Sequence, residues 1–118
     1  MMIERIEKTK IMHRVVRHNG VLYIGGLIAD DCDGGMGSQT RQICAKLDKL
    51  LATAGSDKTK LLSATLYVTD IDAKAEMNEA WLEWLDGTDL PARATIGVAT
   101  LGGPTVKIEI VVTAAATE

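Results

Sequence analysis

The chain has 118 residues and a formal net charge of −3, which is the size of one domain built around one hydrophobic core. Aromatic residues make up only 3% of it, Phe is absent, and 13 Lys and Arg stand against 16 Asp and Glu. A base-stacking surface and a phosphate-binding surface are therefore both disfavoured, and nucleic acid is not an expected partner. A domain this small has little room to enclose a catalytic pocket by itself.

Targeting and redox features indicate a cytoplasmic protein. The longest apolar run, Val21–Ala29, has nine residues, far fewer than the ~20 that a membrane-spanning helix needs. Charged residues begin at Glu4 and Arg5, so the apolar segment of a signal peptide is not expected at the start of the chain. Cys32 and Cys44 lack the spacing of metal ligands, and only His13 and His18 accompany them. We expect reduced thiols, no metal and no cofactor.

The first third of the chain predicts three strands. A short strand is expected at Ile3–Glu7, and two more at Val15–His18 and Val21–Ile28. Asn19-Gly20 lies between the last two and is the strongest short signal for a β-hairpin turn. These strands therefore begin the sheet as antiparallel neighbours.

A glycine-rich loop and a helix follow. Gly34-Gly35-Met36-Gly37 precedes the helix but lacks the Lys-Ser/Thr of a phosphate-binding P-loop, so we interpret it as a flexible loop rather than an anion site. Ser38 is predicted to cap the helix, and Gly55 to end it. One apolar face comprises Ile43, Leu47, Leu50, Leu51 and Ala54.

The second half predicts a strand, a helix and two further strands. In the strand Leu61–Thr69, alternation puts Leu62, Ala64, Leu66 and Val68 on the core face. Asp72 is predicted to cap the second helix, and Gly87 to end it. The apolar stripe of that helix comprises Ala73, Met77, Ala80, Trp81 and Trp84. The last strands are expected at Ala94–Leu101 and Thr105–Thr113.

The predicted order β-β-β-α-β-α-β-β indicates an α+β fold in which two helices cover one face of the sheet. The opposite sheet face is neither fully polar nor fully apolar, since it carries Thr65, Tyr67, Glu109 and Val111. Such a face is a candidate subunit contact. Tyr67, Trp81 and Trp84 could line a pocket, but large residues at regular spacing more often pack in a core.

Two charged residues are candidates for chemistry. Arg93 lies just before a predicted strand, where a planar guanidinium suits bidentate capture of a carboxylate; the alternative is an exposed loop arginine. Glu109 lies on the non-core face of the last strand, where the alternative is a solvated carboxylate beside Lys107. With two histidines in the chain, no Ser-His-Asp or Cys-His arrangement can be argued.

These features together resemble the RidA/YjgF family of small trimeric imine deaminases, also called L-PSP endoribonucleases. The resemblance runs from about Arg14 to Ala114. No single segment is specific for the family, but the order and spacing of seven segments match the family pattern. The segments that carry it are 21–28 (VLYIGGLI), 39–42 (QTRQ), 50–55 (LLATAG), 63–70 (SATLYVTD), 76–78 (EMN), 91–95 (PARAT) and 106–110 (VKIEI).

The resemblance implies a chorismate-mutase-like fold with a mixed sheet, a homotrimer and a ligand site in each subunit cleft. It implies that Arg93 holds the substrate carboxylate and that Glu109 orients a water for attack on the imine carbon. Asn78 and Gly26 match a helix asparagine near the cleft and a glycine on the third strand. The implied reaction is hydrolysis of a 2-imino acid to a 2-keto acid and ammonia.

This chain departs from the family pattern at three places. Gly25 stands where deaminase members usually have Ser, and Thr95 stands where they usually have Cys. An N-terminal tyrosine of many members has no clear match, and His13 or Arg14 would take its place. The chain is therefore similar to a divergent subgroup of the family rather than to the members whose usual substrate is 2-aminoacrylate. A non-catalytic binder of small carboxylates or a regulatory trimer is the alternative, and a ribonuclease is a less favoured one.

Overall fold

The structure, a computed structural model, describes residues 2–116. Within them the predicted order of strands and helices is confirmed, and so is the α+β fold with a mixed sheet and two helices. The elements are β1 (Glu4–Lys8), β2 (His13–His18), β3 (Val21–Leu27), α1 (Met36–Thr53), β4 (Leu61–Val68), α2 (Lys74–Leu85), β5 (Ala92–Gly97) and β6 (Ile108–Ala115).

The strands form one six-stranded sheet in the order β1-β2-β3-β6-β4-β5. All neighbours are antiparallel except β4 and β5, which are parallel. A parallel pair needs a crossover connection, and α2 provides it between β4 and β5. The strand that comes last in the sequence, β6, thereby lies in the middle of the sheet.

The core lies between α1, α2 and one face of the sheet. Fully buried side chains from the central strands include Leu66 and Ile110, which are register partners, and Leu22. The predicted apolar face of α1 is buried throughout. The hairpin turn is confirmed: Asn19 and Gly20 have φ angles of 52° and 76°, and His18 pairs with Val21. Positive φ at both central residues is the signature of a type I′ turn.

The two predicted helix caps are wrong. Helix α1 begins at Met36 with Gly35 as its N-cap, and the Ser38 hydroxyl instead accepts a bond from the Gln42 amide at 3.3 Å. Helix α2 begins at Lys74, after a 3-10 turn at Ile71–Ala73. The carboxylate that bonds a backbone N–H there belongs to Asp70, which accepts from the N–H of Asp72. The predicted end of α1 is confirmed, since Gly55 follows it with φ of 80°.

Three other predictions need correction at the strands. In β4, a register shift between Leu61 and Ser63 turns Leu61 into the core, and Leu62 is 48% exposed. Strand β5 begins at Ala92 and ends at Gly97, so it lies earlier than predicted. Strand β6 begins three residues later than predicted, at Ile108, because the backbone of residues 105 and 107 bonds to a side chain of α1 instead.

Candidate functional site

Arg93 lies in the edge strand β5, on the sheet face that the helices cover. It pairs in register with the buried Ala64, and side chains of paired residues point to the same face. Arg93 is nevertheless exposed and lines a cleft of about 300 Å³ with Asn78 and Trp81 of α2. The predicted neighbourhood of Arg93 and Asn78 is thus present in one chain.

The remaining wall of this cleft is apolar. It comprises Leu82, Leu90 and Pro91, of which Leu82 and Leu90 are about half exposed. The sequence reasoning missed the two leucines. A signal for Leu82 existed, since Asn78, Trp81 and Leu82 have the i, i+3, i+4 spacing of one helix face. The cleft therefore offers a cation at one side and an aliphatic surface at the other.

Two buried polar atoms near Arg93 have no hydrogen-bond partner. Among the described residues, Asn78 Oδ1 and Thr95 Oγ1 are the buried side-chain polar atoms left in this state. Thr95 pairs with Leu66 and so shares a sheet face with Arg93, two residues away. An unsatisfied buried polar group costs ~1–3 kcal/mol, so a ligand that bonds to such atoms recovers this energy. Both atoms belong to residues that the resemblance matches to family positions: Asn78 to an asparagine near the cleft, and Thr95 to the position usually held by Cys.

Glu109 lies on the opposite face of the sheet, beside a glycine bulge. It pairs with Tyr67 across β6 and β4. On its other side, the β3–β6 ladder is irregular between Ile24 and Leu27, where Gly25 and Gly26 lie. Gly26 has φ of 63°, and a Cβ placed on it would lie 3.5 Å from Glu109 Oε2. The carboxylate thus lies against bare backbone.

Within one chain, the two predicted catalytic residues therefore lie on opposite faces of the sheet. Alternation along β6 correctly predicted that Glu109 faces away from the helices. The face of Arg93 follows from the parallel register of β5 with β4, which no local pattern reveals. The chain thus presents two candidate half-sites: Arg93, Asn78 and Thr95 on the first face, and Glu109 with Gly25 and Gly26 on the second.

The N-terminal candidates lie elsewhere in the chain. His13 begins β2 and pairs with Lys8. Arg14 lines a second cavity of about 270 Å³, between the β2–β3 strands and α1. There the Lys46 ammonium lies 2.7 Å from Asp30 Oδ1, and this hydrogen bond and charge lower the pKa of the Asp30 carboxyl. Within one chain, neither His13 nor Arg14 joins the Arg93 cleft.

The two tryptophans that the sequence singled out differ in their contacts. Trp81 is buried and contributes to both the core and the cleft, whereas the Trp84 indole N–H donates to Asp48 Oδ1 at 3.1 Å.

No group of three or more His, Cys, Asp or Glu is placed to hold a metal ion within residues 2–116. Over the same residues, neither helix has the length and apolarity that crossing a membrane requires.

Comparisons with known proteins agree with this architecture. The family model described as "Endoribonuclease L-PSP" matches residues 2–116. The chain is 40% identical over 114 residues to a RutC family protein of Haemophilus ducreyi, covering 97% of each chain. It is 36% identical over 115 residues to the RutC family protein YoaB of Escherichia coli, covering 98% of this chain and 99% of that one.

Solved structures give the same result. NMB1025 of Neisseria meningitidis, a member of the YjgF protein family, superposes with a TM-score of 0.94 at 31% identity. The alignment covers 100% of this chain and 98% of that one. The fold is thus that of a small α+β domain of the YjgF type. The chain belongs to the RutC/YjgF family, which the family model describes as endoribonuclease L-PSP.

Proposed function

We propose that the protein hydrolyses reactive 2-imino acids to 2-keto acids and ammonia, at clefts between the subunits of a cytoplasmic homotrimer. The observation that carries the proposal is the exposed Arg93 guanidinium, which shares a cleft with Asn78, whose Oδ1 has no hydrogen-bond partner. A small carboxylate with an N–H group at its α-carbon matches both, because the carboxylate pairs with Arg93 and the N–H donates to Asn78 Oδ1.

The separation of the half-sites supports a site shared between subunits. Arg93 and Glu109 lie on opposite faces of one sheet, so a substrate that meets both must receive one of them from a neighbouring copy. The face of Glu109 has half-buried Tyr67 and Val111 and a Tyr23 that is 50% exposed, a mixed surface suited to a subunit contact. Sedimentation equilibrium measures the stoichiometry, and a monomer at assay concentration would contradict this part of the proposal.

The mechanism follows from these side chains. Arg93 binds the substrate carboxylate through two parallel N–H···O bonds and so fixes the imine carbon. The Asn78 carbonyl oxygen accepts an N–H of the imine. Glu109 accepts a proton from a water, whose oxygen bonds to the C=N carbon while the imine nitrogen takes a proton from solvent, which gives a carbinolamine. Glu109 then returns its proton to the amino nitrogen of the carbinolamine. The C–N bond breaks, ammonia leaves, and the hydroxyl group releases its proton to solvent as the carbonyl of the 2-keto acid forms.

The direct test generates 2-imino acids with an amino-acid oxidase and follows their decay. The proposal expects wild type to speed the decay and Arg93→Ala to abolish this effect. Arg93→Lys keeps the positive charge but loses the two parallel N–H donors of the guanidinium. A hydrogen bond to a charged group contributes ~1.5–3 kcal/mol, so we expect kcat/KM to fall about 10- to 100-fold. Arg5→Lys, on the exposed β1 strand, is the matched control. Equal decay with wild type, Arg93→Ala and no protein would contradict the enzyme proposal.

The second candidate function is a non-catalytic binder of small carboxylates. Two site positions favour it, since Gly25 and Thr95 replace the Ser and Cys typical of the deaminases that the chain resembles. A thermal-shift screen with 2-keto acids separates the two functions, because stabilisation of wild type without turnover indicates a binder. Incubation with RNA over a range of salt tests the ribonuclease alternative, which the net charge of −3 disfavours.

A further inference from the structure

A glutamine in the first turns of α1 is the most completely bonded buried polar side chain described outside the two half-sites. Gln39 is 0% exposed. Its amide nitrogen Nε2 lies 3.0–3.2 Å from three carbonyl oxygens, and its Oε1 accepts the N–H of Lys107 at 2.9 Å. The three carbonyls belong to Cys32, Gly34 and Thr105.

These bonds join two segments that are far apart in sequence. Cys32 and Gly34 lie in the loop that follows β3, and Thr105 and Lys107 lie just before β6. Strand β3 carries the glycine bulge, and β6 carries Glu109. Gln39 therefore links the loop that follows β3 to the segment that leads into β6, the strand on which Glu109 lies.

The cross-link lies next to an irregular part of the sheet. The β3–β6 ladder is interrupted between Ile24 and Leu27, and its last register pair at this end is Leu27 with Ile110. Beyond that pair, the ladder between β6 and β4 continues through Glu109 with Tyr67 and Ile108 with Val68, and the Thr69 N–H donates to the carbonyl of Lys107. On the β3 side, the residues just before β6 are held by Gln39, which bonds the N–H of Lys107 and the carbonyl of Thr105. Glu109 Oε2 approaches Gly26, 3.5 Å from where an added Cβ would lie, between the irregular β3–β6 ladder and this anchor.

We infer that Gln39 is a positioning residue: by tying the loop after β3 to the start of β6, it sets where the Glu109 carboxylate stands over the Gly25–Gly26 bulge. The inference rests on the proposed function, in which that carboxylate orients the attacking water. It assigns Gln39 no contact with the substrate. It also predicts a separation of roles, because the Arg93 half-site shares none of these hydrogen bonds.

The test compares two methionine variants. Gln39→Met removes the cross-link with little change in side-chain volume. Gln42→Met is the matched control, because Gln42 also lies on α1 and also bonds the loop after β3, at Asp31, yet has no bond to β6. Each variant is assayed for imine hydrolysis with kcat and KM separated, below its measured unfolding temperature, and its affinity for a 2-keto acid is measured by calorimetry.

The inference expects kcat of Gln39→Met to fall at least about tenfold, since a displacement near 1 Å can cost on the order of 100-fold in rate. KM and 2-keto-acid affinity stay within about twofold of wild type, because the Arg93 half-site is intact, and Gln42→Met keeps its kcat. If Gln39→Met does not fold, Gln39→Asn is measured instead, because its shorter amide cannot reach all four partners. The same fall in kcat at unchanged KM and 2-keto-acid affinity is expected.

Other results overturn the inference. If a Gln39 variant is less stable but keeps its kcat, Gln39 stabilises the fold and does not position Glu109. A kcat that falls equally in Gln42→Met, or a KM that rises with it, assigns the effect to the loop or to the whole fold. In each of these cases the proposed function stands. A wild-type protein without any turnover overturns the proposed function, and this inference with it.

Discussion

The glycine pair at the β3 bulge gives a sharp stability prediction, because two adjacent glycines have different conformations. Gly26 has φ of 63°, whereas Gly25 has no positive φ. A Cβ added to Gly25 meets no atom within 4 Å, and one added to Gly26 meets Glu109 Oε2 at 3.5 Å, which is ordinary van der Waals contact. The two alanine variants therefore differ mainly in backbone strain and hardly in steric overlap.

The expected difference follows from that strain. An L-residue in the left-handed region costs ~1–2 kcal/mol, and only Gly26→Ala pays it. Both substitutions also restrict the unfolded chain, a stabilising effect of ~0.4–1 kcal/mol that is common to the pair and cancels in the comparison. We expect Gly26→Ala to be less stable than Gly25→Ala by about 1–2 kcal/mol, and Gly25→Ala to equal or slightly exceed wild type.

Urea denaturation of the three proteins at one protein concentration measures these differences. With m near ~2 kcal/mol/M, the midpoint of Gly26→Ala should lie about 0.5–1 M below that of Gly25→Ala. Equal concentrations are needed because self-association makes the midpoint concentration-dependent. Equal midpoints, or a lower one for Gly25→Ala, would refute the assignment of strain to Gly26 and with it the geometry of the bulge.

Three further predictions concern the thiols, the surface and the core. Burial, followed by the nearby Asp48 charge, raises the pKa of Cys44 to about 12, so a thiol reagent should modify the half-buried Cys32 first and Cys44 only on unfolding. Because Lys46 lowers the pKa of the Asp30 carboxyl, Asp30→Asn should reduce stability at about pH 7, and the difference should vanish as acid protonates Asp30 in wild type. Leu66→Ala in the fully buried core should cost ~2–5 kcal/mol in urea denaturation, and a loss under ~1 kcal/mol would contradict that packing.

Local patterns predicted most of the fold. Alternation along β6 and the Asn19-Gly20 turn identify strands and a hairpin without any knowledge of their partners, and both predictions are confirmed. The caps were predicted wrongly because both helices begin elsewhere: α1 begins two residues before Ser38, and α2 begins two residues after Asp72. Neither α-helix has a side-chain cap, since the N-cap residues are Gly35 and Ala73. Asp70 bonds the N–H of Asp72, and Ser38 packs under Gly34, where an added Cβ would lie 2.7 Å from its hydroxyl.

The candidate site residues could be named from the sequence, but their arrangement could not. Arg93 and Glu109 stand out by residue type and by resemblance, and Asn78 by resemblance alone, whereas the sheet face of Arg93 and the surroundings of Glu109 depend on how the strands pair. The parallel pairing of β5 with β4 places Arg93 beside Ala64, and the bulge at Gly25-Gly26 brings backbone to Glu109. Strand register and β-bulges are set by pairing between strands that lie far apart in the sequence. Local sequence patterns therefore do not reveal them.

The central place of β6 has a consequence for how the chain acquires its structure. Strands β3 and β4 do not pair with each other, and β6 lies between them. During synthesis, β1–β3 and β4–β5 can exist only as two separate ribbons until residues 108–115 have emerged from the ribosome. The unpaired edges of β3 and β4 are exposed for that time, and such edges invite aggregation. Closing the sheet and bringing Glu109 to the glycine bulge are then one event, so the second half-site forms only when the fold is complete.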